Sequence, residues 1–176
     1  MALIKTSYPS TSTAGVTITL TSLAANGTAG VFTSGRSSAP IDNRTFVDLD
    51  HLLSGKIQVG TTTPVASRSI NIYVYAPYTN TTGTATYPDT LLGTNANVTF
   101  TSANTLNSAV RFAANIIIDV TASASYYFAP VSIASLFGGS LPQFWGVYVA
   151  HDTGSALSAT AANLVLTYER IQGQTV

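Results

Sequence analysis

Two histidines with acidic neighbours are the residues of this sequence whose types and spacing could do chemistry. His51 follows Asp48 and Asp50, and His151 precedes Asp152. A histidine that an acid orients can act as a general base toward a nucleophile such as serine. Adjacent side chains of a strand point to opposite faces, however, and Ser and Thr form roughly a quarter of the chain, so a nucleophile could be nominated anywhere. We therefore predict no enzyme activity, and we expect both histidines to be turn or strand-end residues bonded to the backbone.

The first acidic segment could also hold a metal ion, since Asp48, Asp50 and His51 would supply oxygen and nitrogen ligands. Its spacing lacks the glycine and the glutamate of a calcium-binding loop. A structural cation and a solvated acidic edge both fit the pattern, and we favour the solvated edge, with no metal and no cofactor. Asp119 and Glu169 are a further acid pair, but they lie in or beside separate predicted strands. The absence of Cys excludes disulfides and thiolate ligands.

Charged side chains are sparse throughout the chain. Seven Lys or Arg and seven Asp or Glu give a formal net charge of zero over 176 residues, of which 45% are hydrophobic. This composition is the opposite of that of disordered chains. The basic residues are scattered singly, which argues against a nucleic-acid partner, and no apolar run reaches the ~18–20 residues that span a bilayer, which argues against a membrane protein. A neutral surface of this kind favours association, so association is either a risk to be managed or the function.

Alternating apolar residues predict strands along most of the chain. The clearest is the segment INIYVYA at 70–76, with isoleucine and valine on one face and two tyrosines on the other. Further strands are predicted at 15–21, 46–49, 56–60, 98–101, 112–120, 126–128, 144–149 and 164–168. One short helix is predicted near 132–137, where Ser132 can cap it and two glycines can end it. The pattern predicts an all-β β-sandwich, with the jelly roll preferred and an immunoglobulin-like sandwich left open.

The sequence divides into an arm and one domain. Residues 1–13 are rich in Ser, Thr and Pro without periodicity, and they predict an extended N-terminal arm ahead of a single β-sandwich domain at 14–176. The arm is either a frayed terminus or a segment that docks on a neighbouring subunit, and Leu3, Ile4 and Tyr8 are its predicted partner contacts. The start of the chain lacks the basic and apolar stretches of a signal peptide, and the absence of Cys suits a reducing cytosol.

Aromatic residues in the predicted strands could form a flat platform for a sugar ring. The candidates are Tyr73, Tyr75, Tyr126, Tyr127 and Trp145. Aromatic side chains in strands more commonly fill a core or cover a sheet, and that is the role we expect. A carbohydrate-binding β-sandwich is kept as an alternative function.

One long segment carries a resemblance to a known group of proteins. The sequence YFAPVSIASLFGGSLPQFWGVYV at 127–149 resembles a stretch found in small virion structural proteins of tailed bacteriophages. The segment LSGKIQVGTT at 53–62, with IYVY at 72–75, is similar to the same group, and HDTG at 151–154 followed by Leu157 also fits. Together these segments cover a third to a half of the chain.

The resemblance implies a decoration or cement protein of the virion, made in the host cytoplasm and placed on the capsid surface. Such proteins are β-sandwiches or jelly rolls that trimerise at local threefold positions, so the implied partners are two further copies of the chain, as a homotrimer, and the major capsid protein. An arm that reaches over a neighbouring subunit would suit this role. A tail, neck or fibre-associated virion module is the alternative within the same group.

Overall fold

Antiparallel β-strands form most of the regular structure in this computed structural model, which describes residues 4–9, 12–81 and 84–175. The strands are β1 (Ile4–Ser7), β2 (Thr13–Gly15), β3 (Ser34–Ser37), β4 (Ile41–Asp42), β5 (Asp50–Gln58), β6 (Ser69–Tyr75), β7 (Thr79–Thr81), β8 (Thr84–Thr86), β9 (Ala96–Thr99), β10 (Arg111–Ile117), β11 (Ser125–Ser132), β12 (Phe144–His151) and β13 (Leu164–Thr175). Two short helices, α1 (Ala103–Ala109) and α2 (Ile133–Leu136), and a 3₁₀ turn at Ala161–Asn163 complete the elements. The all-β prediction is confirmed.

The strands form two main sheets and a separate hairpin. The five-stranded sheet has the order β1-β13-β5-β11, and β2 also pairs with β13. The six-stranded sheet has the order β10-β6-β12-β3-β9, and β4 also pairs with β12. Strands β7 and β8 form the hairpin. The two sheets face each other across one apolar core, as a β-sandwich requires.

The core between the sheets is built by the alternation that the sequence shows. Strands of the five-stranded sheet contribute Leu53, Ile57 and Leu166, while Ile72 and Val147 come from the six-stranded sheet. All five side chains are buried, and their strand neighbours point away from the core. Burial of this apolar area is the main source of the stability of the fold.

A second apolar cluster lies on the outer side of the six-stranded sheet. Tyr73, Tyr75 and Tyr148 are buried there beneath residues of the long connection between β6 and β10, including Phe100 and Leu106. The predicted division of 70–76 into an aliphatic face and a tyrosine face is therefore confirmed. The aliphatic face enters the sandwich core, and the tyrosine face enters this second cluster.

Helix α1 is an element that the sequence analysis missed, because it predicted a single helix. Ser102 caps α1 by accepting from the backbone of Thr105, whose side chain accepts in return from the Ser102 backbone. Threonine replaces the usual glutamate of this motif, and Leu106 is the only buried residue of the helix, so the pattern gives little signal. The predicted helix near 132–137 is confirmed as α2, with Ser132 as its cap.

Two predicted strands differ from the structure. In the predicted strand at 15–21 the alternation holds, because Val16 and Leu20 are buried. The paired strand is nevertheless Thr13–Gly15, so it overlaps the predicted range only at Gly15. The predicted strand at 46–49 is wrong, because Phe46, Val47 and Leu49 lie in an exposed turn. The hydrophobic residues at 46–49 have the composition of a strand, but their side chains are exposed to solvent.

The N-terminal segment predicted as an arm contains one strand of the chain's own sheet, and a second strand begins at its last residue. Ile4–Ser7 pairs with β13 from Gln172 to Thr175, and Thr13–Gly15 pairs with β13 further along. β13 extends beyond β5, so its free edge offers backbone groups that β1 can pair with. Residues 4–7 therefore form an edge strand, while Leu3 lies outside the described residues.

Candidate functional site

His51 and Asp48 form a buried, hydrogen-bonded pair. His51 Nε2 donates to Asp48 Oδ2 at 2.8 Å, and Trp145 Nε1 donates to His51 Nδ1 at 2.9 Å. An indole nitrogen can only donate, so the imidazole carries its proton on Nε2 and accepts on Nδ1. Burial lowers the pKa of His51 despite the neighbouring carboxylate. Both nitrogens of the His51 ring are engaged in hydrogen bonds, so neither has a free lone pair to accept a proton. Through these bonds the ring links Asp48 to Trp145.

Asp48 is the centre of a buried polar network. Arg170 donates to both of its carboxylate oxygens, from Nε at 2.7 Å and from Nη2 at 3.1 Å, and Gln172 Nε2 donates to Oδ1 at 2.7 Å. Burial alone would raise the pKa of the Asp48 carboxyl, but hydrogen bonds from Arg170, His51 and Gln172 hold it below its ordinary value. The prediction of a solvated acidic edge is wrong for Asp48.

Asp50 has a different role from Asp48. Its Oδ1 accepts from the backbone N–H groups of His51 and Ala134, and its Oδ2 accepts from the Ser132 hydroxyl at 2.6 Å. The carboxylate therefore ties the start of α2 to β5. Among the residues that the structure describes, no group of three or more His, Cys, Asp or Glu is placed to hold a metal ion.

The buried network supports an exposed apolar turn, which we call the Phe46 loop (Asn43 to Leu49). The Asn43 side chain closes the loop, since its amide donates to the Asp48 carbonyl and its oxygen accepts from the Asp48 N–H. Phe46 and Val47 are 57% and 72% exposed, and the Arg170 guanidinium lies 3.7 Å from the Phe46 ring centroid. The loop therefore presents apolar side chains to solvent from a hydrogen-bonded frame.

Val47 adopts a backbone conformation that β-branched residues avoid. Its φ is 51°, in the left-handed region, where an L-residue other than glycine or asparagine costs about 1–2 kcal/mol. The Val47 N–H donates to the Asn43 carbonyl at 2.8 Å, so the turn is held in this shape. Strain that the surroundings maintain is more common at functional positions than elsewhere.

A cleft of about 290 Å³ adjoins the Phe46 loop. Phe46 lines one side, Pro40 and Ile41 line another, and the buried network forms part of the floor through His51 and Arg170. A binding partner could therefore contact the exposed apolar side chains of the Phe46 loop and also insert a side chain into the cleft. This arrangement suits recognition of a protein surface.

The second histidine is also structural. His151 is fully buried, with Nε2 3.0 Å from the Leu23 carbonyl oxygen and Nδ1 2.9 Å from the Thr153 hydroxyl. Burial lowers its pKa to about 4. The predicted contact with backbone is confirmed for His151, whereas His51 bonds to side chains through both ring nitrogens.

The remaining nominated residues are separated. Asp119 accepts from the Tyr126 hydroxyl at 2.7 Å, whereas Glu169 accepts from the Ser12 hydroxyl at 3.3 Å. Of the predicted arm contacts, Tyr8 is 60% exposed, and the backbone of Ile4 lies in β1. The expected core role of the strand aromatics is confirmed for those that are buried, namely Tyr73, Tyr75 and Trp145.

Sequence reasoning did not identify the Phe46 loop. Asn43 and Asp48 are turn-forming residues on either side of it, and they were the available local signal. The partner of Asp48 lies 122 residues away at Arg170, a separation that no local pattern reveals. No helix among the described residues is long and apolar enough to cross a membrane. Comparisons with protein-family models, curated proteins and solved structures found no match.

Proposed function

We propose that this protein is a non-enzymatic structural component of a tailed-bacteriophage virion. In this role it decorates and stabilises the capsid surface, associates with itself as a homotrimer and binds the major capsid protein through the Phe46 loop. The observation that carries the proposal is the exposed apolar loop, closed by hydrogen bonds next to a buried ion pair. The segments at 127–149 and 53–62, which resemble small virion structural proteins of tailed phages, supply the choice of partner.

The energetics of the loop favour a binding role. Burying Asp48 and Arg170 carries a desolvation cost that their attraction only partly offsets, and the left-handed Val47 adds strain. Solvation does not favour the exposure of Phe46 and Val47 either. A protein surface that covers Phe46 and Val47 would remove their apolar area from water, whereas the desolvation and strain costs would remain in the complex. A lattice of many copies would multiply modest single contacts by avidity.

The strand order supports the jelly-roll topology, which we propose as the fold type. In the five-stranded sheet, the strands run in the order β2, β13, β5, β11. In the six-stranded sheet, β3 and β4 both pair with β12, and β6 and then β10 follow on the other side of β12. Strands early in the chain thus lie beside strands late in the chain in both sheets, as in two interlocking Greek keys. Jelly rolls of this kind are used in viral capsid and lectin domains.

Location on the particle tests the proposal directly. Virions of the phage that encodes this chain should be purified, quantified by mass spectrometry and reconstructed by cryo-electron microscopy. We expect hundreds of copies on the head, with the Phe46 loop against the major capsid protein. A few copies at one vertex would favour the tail, neck or fibre alternative, and absence from the particle would overturn the proposal.

The Phe46 loop itself is tested by Val47→Asn. Asparagine tolerates the left-handed region, so we expect unfolding free energy to rise by about 1 kcal/mol while binding to heads stripped of this protein weakens. Val120→Asn is the matched control, because Val120 is also exposed but lies outside the loop. Unchanged binding by the Val47 variant would show that the loop is not the contact.

A further inference from the structure

The outer face of the five-stranded sheet is uncovered, and we call it the open face. Strand register places its residues in rows across β11, β5, β13 and β2. The residues of the open face are Tyr127, Lys56 and Val165 in one row, Ser54 and Thr167 in the next, and Ser132, Leu52, Glu169 and Thr13 in a third. Tyr127 is 71% exposed and Val165 is also exposed, so no other segment that the structure describes covers this row.

The three rows of the open face carry one charge of each sign. Asp50 lies one row beyond them on the same face, and its carboxylate is bonded to the Ser132 hydroxyl and the Ala134 N–H. Lys56 forms no ion pair with a described residue, and Glu169 accepts only a 3.3 Å hydrogen bond from the Ser12 hydroxyl. The other members of the three rows are hydroxyl-bearing or apolar side chains, which cost less to desolvate than charges. These three rows therefore hold two charges that have no ion-pair partner among the described residues, and their other side chains are neutral.

The placement of these two charges is self-complementary. Lys56 and Glu169 lie on neighbouring strands, four residues apart along the ladder, which corresponds to about 14 Å. Ser54 and Thr167, which are register partners, lie midway between them. A two-fold axis in the plane of the face, running across the strands through this midpoint, exchanges the two charged positions. It also brings the Tyr127 end of one copy over the Leu52 end of the other.

We propose that a second copy of this chain docks on the open face through this two-fold axis. The Lys56 ammonium group of each copy pairs with the partner's Glu169, and the Tyr127 ring of each copy packs on the partner's Leu52. Because the contact is isologous, the ion pair and the ring contact each form twice with the same geometry. Strands of the two faces then pack as sheet on sheet, the arrangement that β-sandwiches use internally.

The contact is small, so the pairing is weak. Four strands and three rows span about 14 Å by about 14 Å, or roughly 200 Å² of each copy, which is well below the ~800 Å² per partner of a standard stable interface. We therefore expect the paired form only at high protein concentration. The inference does not depend on the proposed virion function. In a trimeric protein the open face would join two trimers, and in an otherwise monomeric protein it would form a dimer.

Charge reversal tests the pairing without removing any core residue. Lys56→Glu places two acids opposite each other in both contacts, and Glu169→Lys places two bases there. We expect each variant alone to show half the mass of the parent protein in sedimentation equilibrium at high concentration. Mixing the two variants restores opposite charges in both contacts, and we expect the full mass to return. Lys5→Glu is the matched control, because alternation places Lys5 on the other side of the same sheet.

The outcomes separate this proposal from the proposed function. Restoration of mass on mixing, with no effect of the Lys5 variant, supports the two-fold pairing whether or not the chain is found on a virion. A parent mass that neither reversal changes overturns the pairing. So does a reversal that weakens binding to phage heads while leaving the mass unchanged, because the open face would then contact the capsid protein instead of a second copy.

Discussion

The outer faces of the two sheets differ in one respect: one is covered and the other is open. The outer face of the six-stranded sheet lies beneath α1 and the connection from β6 to β10, and Tyr73, Tyr75 and Tyr148 are buried there. The outer face of the five-stranded sheet leaves Tyr127 and Val165 in solvent. Both faces carry tyrosine, so residue type alone does not decide burial. The length of chain available to cover each face decides it.

The strand sequences anticipate this difference. β6 is apolar or aromatic at every position except Ser69 and Asn71, which is typical of strands buried on both faces. β5 and β13 instead alternate apolar with polar or charged residues. The covered face also requires close approach of backbone and ring. Gly146 lies against the Tyr75 ring, and Gly35 lies against the Tyr148 ring. The open face has no such requirement at Gly15.

The largest expected contrast comes from truncating a tyrosine on each face. Tyr148→Ala should lower the free energy of unfolding by about 3–5 kcal/mol, because it leaves a cavity against Phe100 and removes the hydrogen bond to the Phe32 carbonyl. Tyr127→Ala should change it by less than about 0.5 kcal/mol, because that ring is in solvent. Urea unfolding of both variants measures the contrast. Equal losses would mean that the two faces are buried alike.

A somewhat smaller effect is expected from pH. His151 ends β12 in the covered sheet, and its pKa is lowered from 6.5 to about 4 by burial. The unfolded chain binds the proton more readily, so His151 contributes stability that is fully present above pH 6.5 and is lost as pH falls toward 4. The loss amounts to about 3 kcal/mol. Urea unfolding between neutral pH and pH 4.5 measures it.

The control for this titration is His151→Gln, whose amide can still donate to the Leu23 carbonyl. Its unfolding free energy should depend less steeply on pH over the same window. The remaining slope would report His51, whose pKa is also lowered by burial. Asp48 contributes only at more acidic pH, because its pKa lies below 3.8. Identical slopes in the parent and the variant would remove His151 as the source.

The smallest expected contrast concerns the glycines. A Cβ at Gly146 would collide with the Tyr75 ring, which is buried and has no room to move, so Gly146→Ala should cost about 1–3 kcal/mol. A Cβ at Gly15 meets no atom within 4 Å, so Gly15→Ala should be neutral or slightly stabilising through the unfolded state. Thermal unfolding ranks the two variants. The reverse ranking would contradict the covered-face packing.

Much of the fold could be predicted because period-two alternation depends only on neighbouring residues. The strand at 70–76 was identified in this way, and the helix near 132–137 was identified from its serine cap and terminal glycines; both are confirmed. The candidate site could not be found by the same means. The exposed turn at 46–49 has the hydrophobic residues of a strand, and the ion pair beside it joins Asp48 to Arg170, 122 residues away.

The sequence by itself determined the all-β class, the sandwich and the identity of most core positions, because each follows from the pattern of apolar side chains along the chain. Only the tertiary structure decided which polar groups are buried and which sheet face stays open. Asp48 and His51 are three residues apart, but Trp145 lies 94 residues from His51 and Arg170 lies 122 residues from Asp48. These side chains meet because β5, β12 and β13 converge at one end of the sandwich. Such contacts depend on strand order and register, which local sequence does not encode.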